Sequence, residues 1–554
     1  MRRSFSAHLK YYLLFLAIDV GIYWELWNTY FQQDEWLIFG RAIWQLQHLQ
    51  WSLLQFGAMH FYPMGNITWM ILYKLFGLSA QYYAYIGLIF HALAAYLSFL
   101  LFERILKNKS QGLILSLLFL VSFPTKQAVV WFGAMHIVIG VTVFVFLYLL
   151  YLDHLRVQHR FSAKDTGILA VLFLVGFFYY EEAVILIPLT LLFVYFFWET
   201  KHRKKILRSV TRFLIILTVI VGIRFIAGLV IGEKVQFEKD NNLIMFCYNA
   251  ISIFPKMVIQ NIIELEHLWV FARKYTEFAF PAILSEGLTI ERTVFEDVVF
   301  YLFIPIAFAI GFSYANLKKY QQKILLFSIV FIYLCALTLT PQTRRLYFLE
   351  SRYLYLANFG VLLLLAMIYK GLRNGIHENG KYIKKIAVLF IILYGIYSYT
   401  NIQNKLKTYY IPLAKTRKEI LHQIQLLYPT IGNNTVFYLR CKEQDDCIPN
   451  GLVVPFQSGF GQMLLVLYGR QKERLYAPFM ESFYLWDMEA QDYRKIGNIG
   501  FGYFRDMTKI QELVRNGLVL PDDIIAFTYD RNQNIIEDIS KEVRSQLLKT
   551  KMVN

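Results

Sequence analysis

The sequence predicts a mainly α-helical, polytopic membrane fold ending in a small α/β domain, and three observations predict it. The chain of 554 residues is 57% hydrophobic and 18% aromatic but only 17% charged, a balance foreign to soluble proteins of this length. Up to Thr400, long apolar runs alternate with short Lys/Arg clusters, the pattern of membrane spans and their cytoplasmic turns. Beyond it the apolar runs shorten, and Pro429, Pro449, Pro455, Pro478 and Pro521 punctuate them. The net charge of +17 is spread over those clusters rather than gathered in one patch, which argues against nucleic-acid binding.

The first apolar run, 11–31, follows a segment charged only by Arg2, Arg3 and Lys10. That places the N-terminus in the cytoplasm and the next loop outside. The run is too long for a signal-peptide core and lacks a small-residue cleavage site, so it is expected to be retained. The outer loop, 31–66, opens on Phe31-Gln32-Gln33-Asp34-Glu35-Trp36, two carboxylates held between aromatics. Such a pair either caps a helix end or serves proton transfer at the membrane surface. Residues 41–62, with Trp44 and Trp51, read as interfacial helix.

Further spans are expected at 82–102, at 113–123 with a break at Pro124, and at 129–152. Spans at 167–179 and 183–198 flank Glu181-Glu182, and 213–231 follows the strongly basic Lys201-His202-Arg203-Lys204-Lys205. An outer loop, 232–296, is long enough to be folded or functional. The remaining spans are 298–312, 324–339, 359–369 and 386–399, for about 11 in all on the length criterion. The chain is thus expected to be a multi-pass cell-membrane protein, with residues 1–400 as its membrane domain.

Residues 401–554 read as an extracytoplasmic α/β domain. Val436-Phe437-Tyr438-Leu439 and Ile524-Ile525-Ala526-Phe527 have strand character, while 417–427 and 508–514 have helical character. Cys441 and Cys447 bracket an acidic turn and suit a short disulfide in an oxidising compartment. As metal ligands they lack two partners, so no metal site is expected there. Cys247 and Cys335 read as inert core thiols. Tyr484, Trp486 and Tyr503 are candidates for exposed aromatics that stack on a sugar or hold a peptide.

Several polar residues lie within or beside the spans. Asp19 is mid-span, and Glu25, six residues on, lies about 240° round the helix from it. Arg224 interrupts an apolar span and suits a carboxylate or a lipid phosphate as partner. His60 and His136 sit in matching Gly-Ala-Met-His tetrapeptides whose flanks differ, and read as interfacial histidines. Arg344, Arg345 and Arg352 bring three guanidinium groups to one outer segment beside Tyr347, Tyr353 and Tyr355. Guanidinium binds phosphate oxygens in bidentate fashion and is weakly hydrated, which suits a phosphate at a headgroup boundary. A basic cluster on the outer face runs against the charge rule for topology, and so points to function.

Taken in series, a set of short motifs resembles the GT-C glycosyltransferases, which use polyprenyl-phosphate sugars. They are Asp34-Glu35-Trp36, Tyr62-Pro63 ahead of Leu75-Phe76-Gly77-Leu78, and His91 in Ile89-Phe90-His91-Ala92. Next come Phe123-Pro124 with Ala128-Val129-Val130-Trp131, Glu181-Glu182 followed by Pro188, and Glu350-Ser351-Arg352-Tyr353-Leu354-Tyr355-Leu356. The series covers roughly residues 10–370. It is most similar to the protein O-mannosyltransferase-like branch, including tetratricopeptide-bearing transmembrane mannosyltransferases. The sequence departs from that branch at Tyr62, where Arg is usual, and at Glu181, where Lys is usual. Nothing after Thr400 shows a tetratricopeptide period.

The resemblance implies transfer of a sugar, with mannose as the first candidate, from a polyprenyl phosphate to a hydroxyl on a protein or glycan acceptor. The donor lipid is then a substrate, with no cofactor or metal. Asp34 is the expected general base and Glu35 the residue that orients the acceptor or the loop. Arg352, then Arg345, are expected to stabilise the departing phosphate. Two other classes stay open: a transporter or flippase of lipid-linked glycans, and a non-catalytic envelope assembly protein. The former would more often show internal repeats with broken helices in matching halves.

Overall fold

The computed structural model describes residues 5–47, 62–158, 162–230, 243–279, 288–339, 346–376, 380–442, 447–448, 452–453, 459–469, 477–480, 485 and 492–552. Contacts divide the chain into two compact units. Met1–Trp24, Met59–Tyr62 and Ile86–Asn404 form the first, and Glu25–Ala58, Pro63–Tyr85 and Lys405–Asn554 the second.

The first unit is helical. Local chemistry sets its helix starts: the Asn108 side chain accepts from the Gln111 N–H (2.9 Å) and opens the Lys109–Val121 helix. Ser162 and Asp165 form a reciprocal capping box at the head of Ala163–Tyr179. Pro124 follows a break at which Lys109–Val121 and Phe123–Val130 bend by 49°. The core is built on the Ser351–Gly375 helix, where every residue from Leu354 to Leu364 is buried. This helix packs on Leu288–Asn316 and Lys319–Leu337. A Cβ at Gly371 would lie 2.4 Å from the Ser313 Cα, so the close approach of those two helices depends on that glycine.

Among the described residues seven helices are long and apolar enough to cross a membrane, or eight if the bent pair counts as one span. This corrects the expected count of about 11. Ala163–Tyr179 and Leu186–Phe197, both expected spans, are only 17 and 12 residues long. A span needs roughly 20, and the 3₁₀ turn Glu181–Ile185 separates these two. The first apolar run also ends early as α-helix, at Ile22, and continues as the 3₁₀ turn Trp24–Asn28. Glu25 therefore does not share a helix with Asp19. The expected outer loop 232–296 is largely helical, with Leu243–Ile262, Leu265–Ala279 and the start of Leu288–Asn316.

The second unit contains the α/β domain. Its strands are β1 (Asn434–Cys441), β2 (Cys447–Ile448), β3 (Leu452–Val453), β4 (Tyr493–Ile496), β5 (Ile499–Phe504), β6 (Ile524–Asp530) and β7 (Ile535–Asp538). Five of them form a sheet in the order β4-β5-β1-β6-β7, while β2 and β3 form a separate hairpin. Central β1 runs parallel to β5 and β6, and the two outer strands are antiparallel to their neighbours. Every residue of β6 is buried, as a strand covered on both faces requires. On one face Val436 and Tyr438 pack with Ile510, Val514, Val543 and Leu547 of the helices Met507–Arg515 and Ser540–Met552. On the other, Phe437 stacks on Tyr468 at 5.6 Å.

The unit also takes in two segments that the sequence assigned to the membrane domain. The helices Gln33–Gln47 and Pro63–Phe76 pack together, and the first also packs on Phe460–Gly469 and Ala477–Met480. A Cβ at Gly40 would meet the Leu485 side chain at 2.8 Å. Phe31, Trp36, Phe39, Trp69 and Tyr83 form an aromatic cluster of edge-to-face pairs and tilted ones such as Trp69–Tyr83. Ending the chain near Thr400 would strip the acidic-pair helix of the C-terminal segments on which it packs. Tyr503, expected to be exposed, is 3% exposed and packs on Phe460. Tyr484 and Trp486 lie outside the described residues.

Candidate functional site

Candidate residues fall into two sets, one in each unit. In the first unit the set centres on Arg352, in the first turn of the Ser351–Gly375 helix. The residues leading to it, 346–350, form neither helix nor strand. Buried backbone groups must still be paired, and here side chains do it. The Leu346 N–H donates to Asn249 Oδ1 (3.1 Å), and the Leu346 carbonyl accepts from Lys256 Nζ. The Leu349 N–H donates to Gln260 Oε1 (3.0 Å). The spacing of Asn249, Lys256 and Gln260 places them on one face of Leu243–Ile262. Lys256 is fully buried and ion-paired with Glu296, which also accepts from the Tyr248 hydroxyl (2.8 Å).

From the other side, Gln127 Oε1 accepts from the Arg352 N–H (3.1 Å) and the Ser351 hydroxyl (3.3 Å). Its neighbour Lys126 is buried and paired with Glu264 and Asn401. The Arg352 guanidinium, 22% exposed, lies 4.5 Å from the Trp131 ring centre and 4.9 Å from that of Tyr353. It donates to the Tyr353 hydroxyl (3.1 Å) and pairs with Glu350 (3.1 Å).

Tyr180 joins this set electrostatically. Burial raises its phenol well above the usual range, and Tyr353, Glu182 and Glu181 reinforce the rise against Arg352. Glu182 is half-buried, and its apolar surroundings push its carboxyl up to about 8, so it holds its proton at neutral pH. One turn deeper, the Tyr355 hydroxyl meets His91 Nδ1 at 2.6 Å. His91 Nε2 lies 3.2 Å from the Leu120 carbonyl and 3.7 Å from the Asp19 carboxylate, and all three side chains are fully buried.

In the second unit the set is the acidic pair. Gln33–Gln47 begins immediately before it, so Asp34 and Glu35 both occupy its first turn, where the helix dipole favours negative charge. Their surroundings differ. Glu35 is 1% exposed, and its carboxylate reaches back to accept the Gln32 N–H, as the third residue of a capping box does. Arg417, 4% exposed, donates to Gln32 Oε1 (3.4 Å) and feels the Glu35 charge. Asp34 faces solvent. A solvent-facing carboxylate beside a buried one divides the pair into a group that can take a proton and a group that holds the turn.

The other expected residues are placed as follows. Arg344, Arg345 and His60 lie outside the described residues. Arg224 is on the Thr200–Val230 helix, with its side chain outside the description, and Tyr62 is half-buried just ahead of Pro63–Phe76. Cys441 is disulfide-bonded, and the side chain of Cys447 lies outside the described residues. Cys247 and Cys335 are free thiols; Cys335 is buried as expected, whereas Cys247 is exposed, which corrects its reading as a core thiol. Among the described residues no three His, Cys, Asp or Glu side chains gather as a metal site would need. Sequence reasoning missed Gln127 and Arg417. Lys126-Gln127, a polar pair between apolar runs, was a usable signal. Arg417, on an amphipathic helix, offered none.

No family model matches the chain, and no curated protein matches it. Among solved structures, the crystal structure of ArnT from Cupriavidus metallidurans bound to undecaprenyl phosphate is similar. It shares 12% identity and a TM-score of 0.41 over 94% of this chain and 93% of that one. Values that low fix neither a family nor an activity for this chain.

Proposed function

We propose that the chain is an integral membrane glycosyltransferase of GT-C type. It moves a sugar, mannose as first candidate, from a polyprenyl phosphate to a hydroxyl acceptor on the extracytoplasmic face. The observation that carries this reading is the setting of Arg352. A guanidinium held between two aromatic rings, at the head of a deeply buried apolar helix, offers charge-assisted hydrogen bonds to a phosphate whose lipid tail stays in the bilayer. As the glycosidic bond breaks, negative charge develops on that phosphate, and a fixed positive charge there lowers the barrier. In the same reading Asp34 takes the proton of the attacking hydroxyl, and Glu35 holds the first turn that presents Asp34. Direct attack inverts the anomeric centre.

The test is binding of a polyprenyl phosphate to the full chain in nanodiscs. Arg352→Met should weaken binding at least tenfold, the loss expected for one charge-assisted contact of about 1.5–3 kcal/mol. Unchanged binding would remove Arg352, and with it the donor class, from the reading.

Glu182 adds a pH dependence. Its carboxyl is neutral below about 8 and anionic above. Binding of the anionic lipid should therefore weaken as pH rises from 7 to 9, and Glu182→Gln should flatten that decline. A decline of equal size in the variant assigns the pH dependence to another group.

A further inference from the structure

Glu350 occupies the N-cap position of the Ser351–Gly375 helix, where a short acidic or hydroxyl side chain ordinarily accepts a backbone N–H of the first turn. Its carboxylate makes no such bond. It turns instead to the Arg352 guanidinium (3.1 Å) and to Gln127 Nε2 (3.4 Å). We propose that Glu350 is a built-in placeholder, a carboxylate that occupies the Arg352 anion site until a lipid phosphate displaces it. This inference rests on the phosphate role of Arg352 given above.

Three features fit displacement rather than a permanent structural pair. Glu350 is 46% exposed, so its side chain has room to leave. The backbone on either side of it is held by bonds that do not use the carboxylate, from the Leu349 N–H to Gln260 and from the Arg352 N–H to Gln127. The guanidinium also lies against Trp131 and Tyr353, two contacts that do not involve Glu350. Gln127 donates to Glu350 through Nε2 while its Oε1 holds the Arg352 N–H, so one amide secures both partners of the exchange. A part-exposed ion pair is also weak, which a phosphate with better hydrogen-bonding geometry overcomes. The site is thereby kept from ordinary weak anions while remaining open to a phosphate delivered by the bilayer.

The placeholder makes a prediction opposite in sign to that of a supporting residue. Binding of a short-chain polyprenyl phosphate to the full chain, in nanodiscs of zwitterionic lipid, is titrated for four proteins: the wild type, Glu350→Gln, Arg352→Met and the double variant. Glu350→Gln should bind about two- to fivefold more tightly, the range set by an exposed ion pair. Glu350→Ser, which restores an ordinary N-cap, should show the same sign. In the double variant the gain should vanish, leaving the affinity of Arg352→Met alone. Equal or weaker binding by both Glu350 variants overturns the placeholder, as does a gain that persists without Arg352. If Arg352→Met itself binds normally, the phosphate site falls, and that outcome is distinct from failure of the placeholder alone.

Discussion

Replacing Asp34 with asparagine should lower turnover by about 10²–10⁴, the span typical of losing a positioned general base. The substitution preserves size and hydrogen bonding, and Asp34 faces solvent in the first turn of its helix, so folding should be unaffected. Donor binding, measured separately on polyprenyl phosphate, should be unchanged, because a group that acts only in the transition state contributes nothing to ground-state binding. The check is steady-state turnover with a polyprenyl-phosphate sugar. Near-normal turnover would take Asp34 out of the reaction.

Glu35→Ala should act on stability instead. It removes the carboxylate that accepts the Gln32 N–H and the negative charge that Arg417 feels within the second unit. Losing a cap costs about 1 kcal/mol, and leaving a buried charge poorly compensated costs up to about 3–5 kcal/mol. Thermal unfolding in detergent should drop clearly, and protease should open the 405–554 region at lower temperature. Glu35→Gln, which can still accept the Gln32 N–H, should recover the capping share. A fully stable Glu35→Ala protein with poor turnover would instead move Glu35 into the chemistry. The two neighbouring carboxylates are thus separated by different measurements.

Local patterns were legible in the sequence where they were strong. Val436–Leu439 and Ile524–Phe527 lie in the central strand β1 and its neighbour β6, and the expected helices at 417–427 and 508–514 are present. Arg352 stood out because guanidinium among tyrosines at a span's edge is unusual chemistry. Span counting went further than the chain does, because apolar runs near Glu181 and Pro188 break into pieces too short to cross. Pairings between distant residues were not legible at all. Gln127 and Arg352 stand 225 positions apart, and Lys126 and Glu264 stand 138 apart, so no spacing rule connects them. Equally hidden was the exchange between segments by which residues 25–58 and 63–85 join the C-terminal part.

That exchange has a consequence for biosynthesis. The Gln33–Gln47 helix is made early, yet the helix Phe460–Gly469 on which it packs comes from near the other end of the chain. About 320 residues separate Tyr85 from Lys405, and at roughly 5–20 residues per second the ribosome needs on the order of 15–65 s to make them. Throughout that interval the Gln33–Gln47 helix lacks the C-terminal segments on which it packs, while the apolar helices encoded between the two parts of the unit are being made. The packing of the acidic-pair helix is therefore completed late, after residues 86–404 have been made. A nascent chain cannot complete the packing of the helix that carries Asp34 until residues 460–480 have been made, which ties the timing of competence to the last part of translation.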